Sequence, residues 1–229
     1  MWWRFRTLTA AALTLCIGAG LCAPAAAEQS AQYASLIHHL NPKLQKHQSD
    51  RLAREVIKDA QREHLDARLL VALVTVESRW RQSAVSRAGA RGLGQLMPHT
   101  AYLLGVNPRD SQQNLRGTSS YLGRMLREFG AEGARLRLAI AAYNAGPVAI
   151  KRAGGIPNGE TAEYVGRVLA AWHAISARVG NAARALPHVH VYAIAITPVI
   201  SPYDTIVSVD DLASQAPPPQ TMDAVVSGP

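Results

Sequence analysis

Cysteine is nearly absent from this chain, and its two thiols, Cys16 and Cys22, both lie in the N-terminal apolar segment. A chain without further cysteines has neither a disulfide framework nor a cysteine metal site. Aromatic residues are also few, at 6%, yet the hydrophobic fraction of 48% is typical of a folded domain. At 229 residues, the chain has room for one ordinary domain and some additional segments.

Acidic residues are scarce relative to basic ones, because residues 28–180 contain 21 Lys and Arg against 12 Asp and Glu. A basic surface favours polyanions such as nucleic acid, acidic lipid or a wall polymer that carries carboxylates, although it also serves solubility alone. Single-strand nucleic-acid platforms interleave aromatic with basic residues, and this sequence does not. We therefore predict no nucleic-acid partner, and we favour a wall polymer as the polyanion that this surface binds.

The N-terminus is typical of an export signal. Arg4 and Arg6 precede the apolar run 8–22, and alanines 25–27 supply small residues for cleavage. We predict a signal peptide over 1–27 and a mature protein that is exported to the periplasm or cell wall, without stable membrane insertion after cleavage. A retained anchor stays an alternative, because residues 8–27 are just long enough to span a bilayer. Lipid attachment at Cys22 is disfavoured, since Leu21 stands where a small residue normally precedes a lipidated cysteine.

The periodicity after residue 28 is helical almost throughout. Ser49 or Asp50 is predicted to cap one helix, Asp66 to cap a helix from 67 to about 80, and Pro98 to begin a short one. No strand pattern precedes residue 186, so we predict an all-α fold. The predicted organisation is a signal peptide (1–27), a helical segment packed on the main domain (28–65), the main helical domain (66–180) and a partly disordered C-terminal extension (181–229).

The extension carries the one hint of a metal site. His188 and His190 alternate as on a strand, and His38 and His39 lie upstream. Two histidines of uncertain fold are a weak zinc signal, so we predict no metal and no cofactor. Prolines at 198, 202 and 217–219 interrupt the remainder, whose purpose the sequence does not indicate.

The chemistry centres on Glu77, which follows the apolar helix 69–76. Leu70, Leu73 and Val74 precede it by seven, four and three residues, which places the carboxyl group on the same face as the apolar stripe. Burial disfavours the charged form of a carboxyl group, and a protonated glutamic acid can donate a proton to a leaving oxygen. Taken alone, Glu77 could equally point into water or pair with Arg79 or Arg81.

Two further segments are suited to a saccharide. Residues 89–98 form a glycine-rich loop that lets the backbone approach a ligand but lacks the lysine and hydroxyl of a phosphate loop. Tyr143 and Asn144 end a helix before Gly146 and Pro147, and they offer a ring, a hydroxyl and an amide to sugar hydroxyls and N-acetyl groups. Taken singly, Tyr143 and Asn144 are better explained as a capped helix end with a core tyrosine.

Together, these segments resemble the soluble lytic transglycosylase family, a branch of the goose-lysozyme-like glycosidases. The matching residues keep their order along the chain: Glu77-Ser78-Arg79-Trp80, Ala84, Ser86, Gly89-Ala90, Gly92-Leu93, Gln95-Leu96-Met97-Pro98, Thr100-Ala101, Asn114-Leu115, Tyr121-Leu122, Ala142-Tyr143-Asn144-Ala145-Gly146-Pro147, Gly155-Ile156-Pro157, Glu160-Thr161 and Tyr164-Val165. Three places depart from the family pattern, in which methionine is common at position 94, a small residue and then glycine at 117–118, and glycine at 148. Here these positions hold Gly94, Gly117-Thr118 and Val148.

The resemblance implies a lysozyme-like helical domain with a saccharide-binding groove that cuts the glycan strands of peptidoglycan. It implies Glu77 as the single catalytic acid and base, and a substrate-binding groove lined by Ser86, Gln95, Met97, Tyr143, Asn144, Glu160 and Tyr164. With one carboxylate, the implied reaction is non-hydrolytic and leaves 1,6-anhydromuramyl ends, since hydrolytic glycosidases ordinarily use two. The alternatives are a hydrolytic muramidase and a non-catalytic wall-binding protein that assists a secretion or conjugation machinery.

Overall fold

The computed structural model describes residues 22–179, and its secondary structure over this range is helical. The helices in this range are α1 (Cys22–Leu40), α2 (Lys46–Glu63), α3 (Ala67–Ser78), α4 (Pro98–Leu103), α5 (Ser111–Phe129), α6 (Gly133–Ala145), α7 (Pro147–Ala153) and α8 (Glu160–Val179). Strand-like pairing between residues 22 and 179 is limited to isolated bridges, Val85 with Arg91 and Arg91 with Leu96. The prediction of an all-α domain is confirmed.

Helix α3 lies in the core because its sequence is apolar almost all round. Its residues from Leu69 to Thr75 are buried, and the helix packs along α8 and contacts α2. Asp66 caps it as predicted, accepting a hydrogen bond from the Arg68 backbone N–H at 2.8 Å. The indole N–H of Trp172 on α8 also donates to Asp66, at 3.2 Å. The cap therefore also ties the start of α3 to α8.

Helices α1 and α2 pack against each other, and α2 packs in turn on α5. The predicted cap at Ser49 or Asp50 is wrong, because α2 already begins at Lys46. Gln48 reaches back to accept the backbone N–H of Gln45 at 2.9 Å, which satisfies a donor at the true start of the helix. Ser49 is buried instead, at 1% exposure.

The remaining helix ends lie close to their predicted positions. Pro98 stands in the first turn of α4, as expected from its fixed φ and missing N–H. Helix α6 ends at Ala145, and Gly146 with φ 85° redirects the chain into α7 at Pro147. In residues 22–179, no helix combines the length and the apolar character that crossing a bilayer requires.

The predicted leader and tail fall largely outside the described range. Residues 1–21 of the predicted signal peptide and 180–229, with the extension, are not part of it. Helix α1 runs through the predicted cleavage point after residue 27, which stays a prediction.

Candidate active site

The carboxyl group of Glu77 is buried between α3 and α8. Glu77 lies on the last turn of α3 and is 6% exposed. Tyr164, which is itself buried on α8, donates its hydroxyl hydrogen to Glu77 Oε1 over 2.7 Å. The packing of α3 along α8 thus holds the carboxyl group in an apolar setting and orients it through one defined hydrogen bond.

Burial and this carboxylate together raise the pKa values of two tyrosines. Burial raises the pKa of Tyr164 well above its ordinary value of 10.0, and the negative charge of Glu77 raises it further. The pKa of Tyr143 is raised well above 10.0 by the same two causes in the same order. Both phenols therefore keep their protons and remain hydrogen-bond donors across the neutral range. Glu77, Tyr143 and Tyr164 form one electrostatically coupled group.

The chain reverses directly after Glu77. Arg79 and Trp80 both adopt left-handed backbone angles, with φ of 50° and 60°, which is unfavourable for residues other than glycine. Trp80 is fully buried, and its indole N–H donates to Thr75 Oγ1 at 3.1 Å. Its carbonyl oxygen accepts the side-chain amide of Asn41 at 3.1 Å. These contacts hold the reversal that ends α3 and starts the loop 79–97.

Ser86, Gln95 and Met97, three of the predicted groove residues, lie on this loop. Ser86 Oγ accepts the backbone N–H of Ala90 at 3.0 Å. The amide nitrogen of Gln95 donates to the carbonyl oxygens of Gly92 at 2.8 Å and Ala84 at 3.3 Å. Met97 is half-buried and immediately precedes α4. The two polar side chains therefore shape the loop that they belong to.

The side chain of Asn114 on α5 holds the loop 79–97 through hydrogen bonds. It is fully buried, and its amide nitrogen donates to Arg91 O at 2.8 Å and Pro108 O at 3.0 Å. Its Oδ1 accepts the backbone N–H of Gly94 at 2.9 Å. Asn114 and Trp80 match the family pattern, but the sequence predicts no role for either residue.

Tyr143 joins α6 to the loop. Its hydroxyl donates to Gly94 O at 2.8 Å, and its ring lies 5.2 Å from the ring of Tyr121 at an interplanar angle of 58°. Asn144 follows it and is half-buried, as is Glu160 in the first turn of α8, one turn before Tyr164. The structure thus brings Glu77, Tyr143 and Tyr164 together and groups three predicted residues on one loop. Asn144 directly follows Tyr143 at the end of α6, and Glu160 precedes Tyr164 by one turn of α8.

The histidines do not form a site in the described range. His38 lies on the last turn of α1, with Nδ1 3.0 Å from Leu44 O. Residues 22–179 contain no group of three potential metal ligands. His188 and His190 lie outside this range.

Residues 54–165 match the transglycosylase SLT domain family. The matched segment includes Glu77, the loop 79–97, Tyr143 and Tyr164, which are the residues that form the buried group and its surroundings. This match confirms the predicted resemblance to the soluble lytic transglycosylase family over these residues.

Several proteins that are similar to this chain are named as lytic transglycosylases. The chain is 36% identical over 118 residues to membrane-bound lytic murein transglycosylase F of Marinobacter nauticus, covering 49% of this chain and 22% of that protein. It is 42% identical over 86 residues to the protein of the same name from Yersinia enterocolitica, covering 36% and 18%. The chain thus spans about a fifth of the length of these relatives. A solved structure, the 70 kDa soluble lytic transglycosylase of Escherichia coli, is 26% identical with a TM-score of 0.46, covering 66% of this chain and 29% of that one.

Proposed function

We propose that this chain is a peptidoglycan lytic transglycosylase that cleaves the β-1,4 bond between N-acetylmuramic acid and N-acetylglucosamine without water. The observation that carries the proposal is the buried Glu77 carboxyl group, oriented by the Tyr164 hydroxyl at 2.7 Å inside the matched domain. A carboxyl group in such surroundings is suited to general acid and base catalysis.

In the proposed reaction, Glu77 first donates its proton to the oxygen that leaves the muramic acid anomeric carbon. The C1–O bond breaks, and the proton stays on the departing N-acetylglucosamine. The carboxylate then removes the proton from the 6-hydroxyl of the same muramic acid, whose oxygen bonds to C1. Glu77 is protonated again at the end, and the product carries a 1,6-anhydro ring. The tethered hydroxyl competes with water through its high effective concentration.

The arrangement of charges supports one acid and not two. In the described part of the chain, Glu77 is the carboxylate whose charge raises the pKa of both Tyr143 and Tyr164. Glu160 stands at the start of α8, where an acidic side chain is favoured by the helix dipole. A binding or orienting role for Glu160 is therefore preferred to a role as second catalytic carboxylate.

The remaining predicted groove residues receive roles that fit their contacts. The amide nitrogen of Gln95 is bound within the loop, so we assign contact with an N-acetyl group to its Oε1. Ser86, Met97 and Asn144 are assigned to the groove wall. Export to the periplasm or cell wall, and local opening of the wall for a secretion or conjugation machinery, remain predictions from the sequence.

Digestion of purified sacculi by wild type, Glu77→Gln and Glu55→Gln tests this proposal. Glu55 is a matched control on α2, where it pairs with Lys58 at 3.5 Å. Loss of the catalytic acid should lower the rate at which soluble fragments are released by a factor of about 10² to 10⁴. The Glu55→Gln variant should release them at the wild-type rate.

Product masses distinguish the alternatives in the same experiment. Anhydro ends, each lacking one water relative to a reducing end, are expected. Reducing ends would show a hydrolytic muramidase instead. Wild-type protein that binds sacculi without releasing fragments would show a wall-binding assembly protein, and equal release by wild type and Glu77→Gln would remove Glu77 as the acid.

A further inference from the structure

Gly94 on the loop and Thr118 on α5 meet so closely that position 94 has no room for a side chain. A Cβ atom at Gly94 would overlap Thr118 Oγ1 and would lie 2.6 Å from Cγ2 and 2.7 Å from Cβ of that threonine. Gly94 does not belong to the glycines with positive φ, so its backbone angles do not demand glycine. The requirement for glycine comes from the space that Thr118 occupies.

The same two residues belong to a closed hydrogen-bond cluster at the active site. The Gly94 N–H donates to Asn114 Oδ1 at 2.9 Å, and the Gly94 carbonyl accepts the Tyr143 hydroxyl at 2.8 Å. Thr118 is fully buried, and its hydroxyl donates to Asn114 O at 2.8 Å, one turn earlier on α5. The position of Tyr143 therefore depends on how deeply the loop settles onto α5 at Gly94.

The two residues are complementary in volume. Side-chain volume is absent from the loop at position 94 and present at position 118 on the helix that faces it.

We propose that Gly94 and Thr118 are a matched pair, and that Thr118 is a positioning residue for Tyr143 beside the catalytic acid. The proposal rests on the proposed function for its effect on catalysis, but not for the pairing itself. Thr118 acts on Tyr143 through Gly94. Its side chain fills the space beside Gly94, and the Gly94 carbonyl accepts the hydroxyl hydrogen of Tyr143 at 2.8 Å.

The pairing is tested by thermal unfolding of the full chain carrying Gly94→Met, Thr118→Gly or both. Methionine at 94 alone should lower the midpoint by about 5 °C through overpacking, and glycine at 118 alone should lower it by leaving a cavity. The double variant should recover at least half of the summed loss. Losses that simply add would overturn the pairing. Should Gly94→Met fail to fold, Gly94→Ala replaces it, because even a Cβ overlaps Thr118.

The positioning role is tested by kinetics of Thr118→Gly, Thr118→Val and Ser119→Gly. Glycine removes the side chain that lies against Gly94, so kcat should fall by about tenfold with little change in KM, whereas valine keeps the volume and should keep most of the rate. Ser119 is a matched control, equally buried on the same helix, where its hydroxyl bonds to Arg116 O and accepts from Arg62. A wild-type kcat for Thr118→Gly would overturn the positioning role.

The outcomes separate this inference from the proposed function. If wild type and Glu77→Gln degrade sacculi equally, the proposed function fails. The unfolding cycle still decides the pairing in that case, and a second unfolding cycle, Thr118→Gly with Tyr143→Phe, decides the positioning. Tyr143→Phe removes the bond to Gly94 O, so it should lower the midpoint at most half as much in Thr118→Gly as in wild type. Losses that simply add would overturn the positioning role.

Discussion

The bond between Tyr164 and Glu77 combines orientation with burial in a single contact. The phenol gives one carboxyl oxygen a fixed donor, and because its pKa is raised by burial and by the carboxylate, it keeps the proton that it donates. An unpaired carboxylate at 6% exposure would be costly, so this bond also permits the burial that catalysis requires.

Tyr164→Phe is expected to lower kcat by about 10-fold to 100-fold, because the carboxyl group loses its orienting donor but keeps its own proton chemistry. Release of soluble fragments from sacculi measures this. Tyr33→Phe is the matched control: Tyr33 is buried on α1, and its hydroxyl has no hydrogen-bond partner in the described residues. An equal loss of rate in both variants would indicate a general effect of losing a buried phenol.

Helices α3 and α5 both follow an aspartate N-cap, but the two caps differ in their contacts. The Asp66 carboxylate accepts from the backbone and guanidinium of Arg68 and from the Trp172 indole, so it joins the cap to a contact between helices. Asp110 caps α5 more simply, through the Gln113 backbone N–H at 2.8 Å at an exposed position. Within residues 22–179, Asp66 therefore also satisfies a donor on a different helix.

Asp66→Ala should therefore destabilise the fold by about 3 kcal/mol, combining a lost cap with an indole N–H left without its acceptor. Asp110→Ala should cost about 1 kcal/mol. Urea unfolding followed by circular dichroism measures both. Similar losses in the two variants would mean that the Trp172 bond adds nothing to the cap.

These elements also show which features a sequence reveals. The cap at Asp66, the helix start at Pro98 and the burial of Glu77 were predictable, because they depend on residues within one or two turns. The bonds from Asn114 to Gly94 and from Asn41 to Trp80 span 20 and 39 residues, and no local pattern signals them. The departures at Gly94 and Thr118 were visible in the sequence, but only the packing of the loop on α5 shows that they form a pair.

Across the whole domain, buried tyrosines make the fold sensitive to alkali. Burial is the first cause that raises the pKa of Tyr33, Tyr143 and Tyr164, which come from α1, α6 and α8. For a group whose folded-state pKa is raised, the unfolded chain loses its proton first as the pH increases. The stability associated with that group is therefore complete below pH 10 and declines above it.

The free energy of unfolding, measured in urea, should accordingly be level up to about pH 9.5 and then fall, by up to about 1.4 kcal/mol per pH unit for each buried tyrosine. Near-ultraviolet absorbance should show that only some of the seven tyrosines ionise while the circular dichroism remains helical, with the others following on unfolding. Tyr33→Phe removes one buried phenol without removing a hydrogen bond within the described residues. The free energy of unfolding of this variant should therefore fall less steeply with pH than that of wild type. If all seven phenols titrated together near pH 10 in the folded state, the buried tyrosines would be open to water, and Glu77 would lose the dry surroundings on which its proposed role depends.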